Sequence, residues 1–328
     1  MTLSIGVIGA GSIVPFHLDV LSNMNVEISC IAARNNSASA QDIALKYGIP
    51  TVFEDWQSLI RKSSSLNAVI ICTPPEVTLQ VIKEAALKDL YIFAEKPGAT
   101  SSEELDALES FDQGKIFFGF NRRFYDSVDN FKNLIFEDKG LFYIKIIEDI
   151  SYLRTAESIR EILILNSIHI IDLLHYLAGD FRLESVVKLP GDFGFRVSVI
   201  DTKNIEIGQI FLQFGTPSNS FLSYENDRIS LLLKPIEKLF RSNRMMILEP
   251  SISNPIRQYI PSWFPTNELS EIVENSNYKP GFESQMKSFI EIVSNTASEQ
   301  DMRLASVRDA IFALRVAEAL ANSVAAIL

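Results

Sequence analysis

The chain is poor in the residues that would mark it as secreted, metal-built or nucleic-acid-binding. Only two cysteines occur among 328 residues, Cys30 and Cys72, both within apolar runs. That argues against a disulfide framework, and no CxxC pair exists for metal or redox chemistry. Histidine is equally sparse. His17, His169 and His175 are dispersed without ligand spacing, so no metal site is expected. Positive charge is in deficit: 30 Lys and Arg stand against 41 Asp and Glu, for a formal net charge of −11. A surface of that sign repels phosphate backbones, which argues against nucleic acid, although a local pocket can still be positive. Apolar runs of membrane-spanning length are missing, so no membrane partner is expected. The N-terminus lacks the positive region of a secretory leader. A reduced, cytoplasmic setting is the expectation.

What remains is ordinary globular composition, 47% hydrophobic and 22% charged, in a chain long enough for two domains. Through the first 120 residues, short apolar runs alternate with helical patterns. Strands are expected at 3–8, 26–32, 68–72, 91–94 and 115–119. Helices are expected at 14–21, 37–47, 77–87 and 101–111. This alternation predicts a doubly wound parallel sheet covered on both faces. Beyond residue 120 the pattern changes. Helical stretches at 127–136 and 168–177 flank a strand at 142–150. From 183 to 248 longer alternating strands predict an open, mainly antiparallel sheet. Residues 254–280, rich in Pro, Asn and Ser, read as loop, and helices at 282–293 and 304–326 close the chain. The expected class is α/β, with a Rossmann domain at 1–120 and an α+β domain at 121–328.

The first strand ends in Gly9-Ala10-Gly11-Ser12-Ile13, followed by a helix. Glycines at such a corner let backbone N–H groups approach a pyrophosphate, and the helix start adds a positive dipole. The third fingerprint position is Val14, so the motif alone also fits a plain tight turn. Where the second strand ends, an NAD site usually carries an acid for the ribose 2′-hydroxyl. Here the chain reads Ala32-Ala33-Arg34-Asn35. A guanidinium suits a 2′-phosphate, which favours NADP over NAD; the alternative is a solvated loop arginine.

Four segments, taken in order and spacing, resemble the Gfo/Idh/MocA family of nicotinamide-dependent oxidoreductases. They are the Gly9-Ala10-Gly11 turn with His17 downstream, Cys72-Thr73-Pro74-Pro75, Ala94-Glu95-Lys96-Pro97, and His169-Ile170-Ile171-Asp172. Lys279-Pro280-Gly281-Phe282 and the final helix fit more loosely. The resemblance implies hydride transfer at a sugar or cyclitol carbon and an exposed sheet that often mediates homodimers or homotetramers. It implies that Lys96 lies beside the reacting oxygen, after a cis Lys96–Pro97 bond, and that His169 is the second proton donor or acceptor. Thr73, Pro74 and Glu95 would border the cofactor, with Glu95 orienting the loop. Arg123 would meet cofactor or an anionic substrate, or else tie structure together. His17 and His175 read as packing residues, and Asp172 as an orienting one. Asp149 and Tyr152 are noted without a role.

The chain departs from the family pattern at Leu165, where many members carry an Asp four residues before the His. Asn166, one residue on, cannot exchange protons but can bind a substrate hydroxyl. Thr78 stands where members often have His. Three readings follow: a sugar, cyclitol or nucleotide-sugar dehydrogenase, a non-catalytic dinucleotide-binding regulator, and a reductase of a non-sugar substrate. Lys96 and His169 together favour an enzyme.

Overall fold

The computed structural model describes residues 2–62, 64–135, 139–148, 156–190, 194–215, 217–243, 245–261, 264–265, 277–296 and 301–327. Two compact units emerge. The first comprises Met1–Phe124, Leu163–Tyr176 and Asn277–Glu318; the second comprises Tyr125–Ile162, Leu177–Ser276 and Ala319–Leu328. Asp149 and Tyr152 lie outside the described residues.

The first unit is a six-stranded parallel sheet. Its strands are β1 (Leu3–Ile8), β2 (Val26–Ala32), β3 (Thr51–Phe53), β4 (Ala68–Ile71), β5 (Tyr91–Ala94) and β6 (Ile116–Phe118), in the order β3-β2-β1-β4-β5-β6. All four residues of β4 are fully buried, as a strand covered on both faces must be. The connecting helices are α1 (Val14–Leu21), α2 (Ala38–Tyr47), α3 (Trp56–Arg61), α4 (Pro75–Ala86) and α5 (Ser102–Asp106). Ser37 caps α2 by accepting from the Ala40 N–H, and Gly48 closes it at φ +66°. The three-residue β3 and the six-residue α3 carry too few apolar positions to show a period, and the sequence reading passed over them.

The second unit holds α6 (Asp126–Ile135), β7 (Leu141–Glu148) and α7 (Ala156–Ile162). The chain then runs through a π turn (Leu163–Ser167) into α8 (Ile168–Ala178). The strands that follow are β8 (Phe181–Lys188), β9 (Gly194–Asp201), β10 (Glu206–Phe214), β11 (Phe221–Glu225), β12 (Ser230–Leu233), β13 (Leu239–Ser242), β14 (Met245–Leu248), β15 (Gln258–Pro261) and β16 (Phe264–Pro265). Seven of them join β7 in one eight-stranded mixed sheet, β16-β13-β12-β11-β7-β10-β9-β8, in which β7 and β10 are the one parallel pair among the described residues. The alternating burial of β7 follows from one covered and one half-exposed face. β15 lies in a stretch read from sequence as loop. Helices α9 (Phe282–Val293) and α10 (Val307–Ala325) end the chain.

The helical path from Glu157 to Ala178 is long and apolar enough to cross a membrane by length and composition alone. The sequence reading found no such run. More than half of its most apolar window is buried within the fold, as in a core helix.

Candidate functional site

Every residue of the candidate site lies in the first unit, at the carboxyl ends of its parallel strands. The order of strands reverses between β1 and β4, and such a switch point is where open α/β sheets take ligands. Gly9 ends β1 with φ +117°, and a Cβ there would sit 2.4 Å from the Cys72 carbonyl oxygen. Its N–H donates to the Ala32 carbonyl at 2.8 Å. Only glycine fits that corner against a neighbouring strand end. Gly11 differs, because a Cβ there would meet nothing within 4 Å. Its small size keeps open space at the start of α1. Ile13 is the N-cap residue and makes no side-chain cap bond. In this first turn Val14 and Phe16 donate to the Gly11 and Ile13 carbonyls, each at 3.1 Å, and Pro15 has no N–H, so what the helix start offers a pyrophosphate is its positive dipole. Residues Gly9, Ala10, Gly11, Ser12 and Ile13 therefore fit a dinucleotide.

On the β4 side, the Thr78 hydroxyl is buried and donates toward the carbonyls of Thr73 (2.9 Å) and Pro74 (3.0 Å). The Thr73 hydroxyl meets it at 2.8 Å. Thr78 thus secures the Thr73-Pro74 corner. Arg34 is exposed just after β2, with no acid in the four residues that follow.

Glu95, Lys96 and Pro97 follow β5, and the Lys96–Pro97 bond is cis. Buried His17, from α1, places Nε2 2.7 Å from Glu95 Oε1. The His17 ring is packed by Phe93 and Phe282, at centroid distances of 5.5 and 4.9 Å. Gly119 leaves the carboxylate room, since a Cβ there would stand 3.2 Å from both Glu95 oxygens. His17 therefore does more than fill the core: it fastens the acid beside Lys96. The available signal was a polar ring on the buried face of α1, one turn past the glycine corner.

Lys96 Nζ donates to the Leu165 carbonyl at 2.5 Å. That carbonyl belongs to the π turn, where the wider ring disturbs the regular helical ladder. His169 follows the same turn. The helix expected at 168–177 is α8, and an unanticipated helical path reaches it from Ala156 through the π turn. Asn166 is exposed within the turn. Burial lowers the Lys96 ammonium pKa; Glu95 opposes the drop, and Lys279 and Arg122 add to it. Burial holds His169 well below the usual imidazole range, assisted by Lys96, Arg122 and Lys279. His169 Nδ1 is buried without a hydrogen-bond partner, and the Phe120 ring stands edge-on at 6.1 Å. The site is thus a positive locus in an acidic chain. Sequence reading gave Lys279 no role, because only the fold brings its charge near Lys96 and His169.

Arg123 corrects an expectation. Its guanidinium is 1% exposed and grips Asp172 twice, from Nε at 2.9 Å and from Nη2 at 2.5 Å. Nη2 also reaches Asp309 at 3.2 Å. A charge so deeply enclosed and doubly paired is spent on holding the fold, and cofactor contact falls away. Asp172 orients this arginine, with burial raising its own pKa against the pull of Arg123.

Residues 3–112 match the model of an oxidoreductase family with an NAD-binding Rossmann fold. The chain is 33% identical to inositol 2-dehydrogenase of Rhizobium meliloti over 128 residues, 38% of each protein. It is 30% identical to the uncharacterised oxidoreductase YrbE of Bacillus subtilis over 200 residues, 56% of each. The chain thus spans between about a third and just over half the length of these curated relatives. Its fold is shared by myo-inositol dehydrogenase of Lactobacillus casei, solved with NAD(H) and myo-inositol, with a TM-score of 0.71 at 18% identity. That likeness covers 98% of this chain and 94% of the other. Over residues 3–112 the chain thus matches the NAD-binding Rossmann domain of the Gfo/Idh/MocA oxidoreductases.

Proposed function

We propose that the protein is a nicotinamide-dependent dehydrogenase or reductase. It moves a hydride to or from a hydroxyl or keto carbon of a sugar, cyclitol or nucleotide sugar. The observation that carries this reading is the pairing of Lys96 and His169. Both have pKa values lowered by burial and by the same two cations, beside a glycine corner that fits a dinucleotide. Perturbed groups in such a setting mark proton-transfer sites.

A bound nicotinamide supplies the hydride donor or acceptor. Residues 9–13 would hold its pyrophosphate, bordered by Thr73 and Pro74. Arg34 supports NADP over NAD, because a guanidinium can clasp a 2′-phosphate. Lys96 donates a proton or hydrogen bond to the substrate oxygen, offsetting alkoxide charge as it develops. Neutral His169 exchanges the second proton. Asn166 binds a substrate hydroxyl in place of the acid that relatives carry nearby. Residues 1–120 carry the cofactor, and 121–328 complete the substrate site and form a homodimer or homotetramer.

Fluorescence titration with NADH and NADPH tests the reading, and binding of neither overturns it. A turnover screen with inositols, free sugars and nucleotide sugars then identifies the substrate class. Lys96→Ala is expected to keep cofactor binding while losing roughly 10²–10⁴-fold in turnover.

A further inference from the structure

We propose that the second unit carries a binding site for a small carboxylate with an apolar body, in a cavity of about 570 Å³ at one end of its mixed sheet. Every lining residue belongs to this unit, so the cavity shares no residue with the candidate site. Its volume falls within the roughly 300–1,000 Å³ typical of small-molecule sites. Phe142 of β7 and Tyr224 of β11 are cross-strand partners, both buried, with ring centroids 5.0 Å apart, and they make its floor. Gly140 makes room for that floor, since a Cβ there would stand 2.5 Å from the Tyr224 ring. Ile135 and Leu177, from the ends of α6 and α8, line the sides. Leu141 and Ile205 border the opening and stay 41% and 53% exposed. An apolar ligand body covers such side chains and gains by leaving water.

Charge selects the ligand. Three ammonium groups reach the cavity from separate segments: Lys132 of α6, Lys139 ahead of β7, and Lys203 of the β9–β10 turn. Two carboxylates, Asp201 and Glu206, also line it. The acids are engaged. Asp201 Oδ1 accepts the Lys203 and Ile205 N–H groups at 2.8 Å each, and Glu206 Oε1 accepts from Gln209 Nε2 at 3.1 Å. Among the described residues, no hydrogen bond or ion pair holds the Lys139 or Lys203 ammonium. Three cations against two anions leave one positive charge, in a chain whose net charge is −11. That local excess attracts an anion and matches a single carboxylate, which two ammonium groups can bind through charge-assisted hydrogen bonds.

The rim is set before any ligand arrives. Besides the two bonds to its carboxylate, the Asp201 N–H donates to the Ile205 carbonyl at 2.9 Å, closing the turn. Arg182 Nη2 holds Asn204 Oδ1 at 2.8 Å. The turn therefore presents Lys203 and Ile205 from a fixed backbone, and a preformed rim needs little ordering on binding.

The test is titration calorimetry on the full chain with octanoate and 1-naphthoate, beside their neutral amides, octanamide and 1-naphthamide. At least one acid is expected to bind, and its amide about tenfold or more weakly, the loss of a hydrogen bond to a charged group. Lys139 and Lys203 are exposed, so Lys139→Gln and Lys203→Gln should fold as the wild type does and each weaken the acid by a similar factor. Ile205→Glu places an anion at the opening and should abolish binding. NADH affinity should stay unchanged in all three variants. The proposal is overturned if neither acid binds, if the amides bind as tightly as the acids, or if all three variants leave the acid's affinity unchanged. Because the carboxylates are titrated without nicotinamide, the result stands apart from the dehydrogenase reading.

Discussion

His17 Nε2 and Glu95 Oε1 meet at 2.7 Å, joining the first helix of the Rossmann unit to the strand end that carries Lys96. His17→Leu is expected to leave the carboxylate without this partner and lower stability by about 1.5–3 kcal/mol, the range for a hydrogen bond to a charged group. His17→Gln can still donate to Glu95 and should recover most of the loss. Denaturant unfolding of both variants, read beside turnover, measures how far the bond also positions Lys96. Equal stability of His17→Leu and wild type would remove the role assigned here.

The two cradle glycines should separate cleanly. Gly9→Ala forces a Cβ against the Cys72 carbonyl at a left-handed φ, so it should destabilise the fold itself. At Gly11 a Cβ meets nothing within 4 Å, so Gly11→Val should melt like the wild type yet lose dinucleotide affinity at least tenfold. Melting curves taken with and without NADH decide this. A Gly11→Val protein that binds as the wild type does would place the cofactor elsewhere.

Arg123→Met strands Asp172 in a fully buried position, and breaking a buried pair this way costs about 3–5 kcal/mol. The double variant Arg123→Met/Asp172→Leu removes both charges and should regain much of that loss. A double-mutant cycle in denaturant is the measurement. A silent single variant would remove the structural role given to the Arg123–Asp172 pair.

Lys96 carries a pKa lowered by burial and by Lys279 and Arg122, with Glu95 working against them. If the ammonium form is required, turnover falls as pH rises through this lowered value. Lys279→Gln removes one repelling cation, so the alkaline limb should move to higher pH. Glu95→Gln removes the opposing anion, so the limb should move to lower pH. Limbs that stay fixed in both variants would show that another group sets the profile.

His169 has a folded-state pKa far below its unfolded value, chiefly through burial. The unfolded chain therefore takes up the proton first. The contribution of His169 to stability is complete above the ordinary imidazole pKa, about 6.5, and is lost as pH falls below it. His169→Gln should flatten the acid side of the stability curve. Proton NMR of the ring should show it still neutral at pH 6.

The Rossmann half was legible because buried parallel strands are continuous apolar runs, and β4 reads AVII with nothing exposed. Lys96 was legible through the Glu-Lys-Pro motif at a strand end. β15 was not, because in a stretch rich in Pro, Asn and Ser four residues give no measurable period. The His169 helix was legible from Ile168 on, as α8 is, but the helical turns that lead into it were not read, because a π turn changes hydrogen bonding without changing composition.

By itself the sequence determined the alternation of strand and helix, the glycine corner and the two candidates proposed for proton transfer, Lys96 and His169, since each rests on short-range pattern. Only the tertiary structure decided that Arg123 is enclosed by Asp172 and Asp309, that His17 holds Glu95, and that Lys279 adds its charge to the site. Those partners stand 49 to 186 residues apart in the chain for Arg123 and 78 for His17. A charge pair across such separations leaves no periodic trace in sequence. It exists only once the packed core has paid the entropy of bringing the segments together.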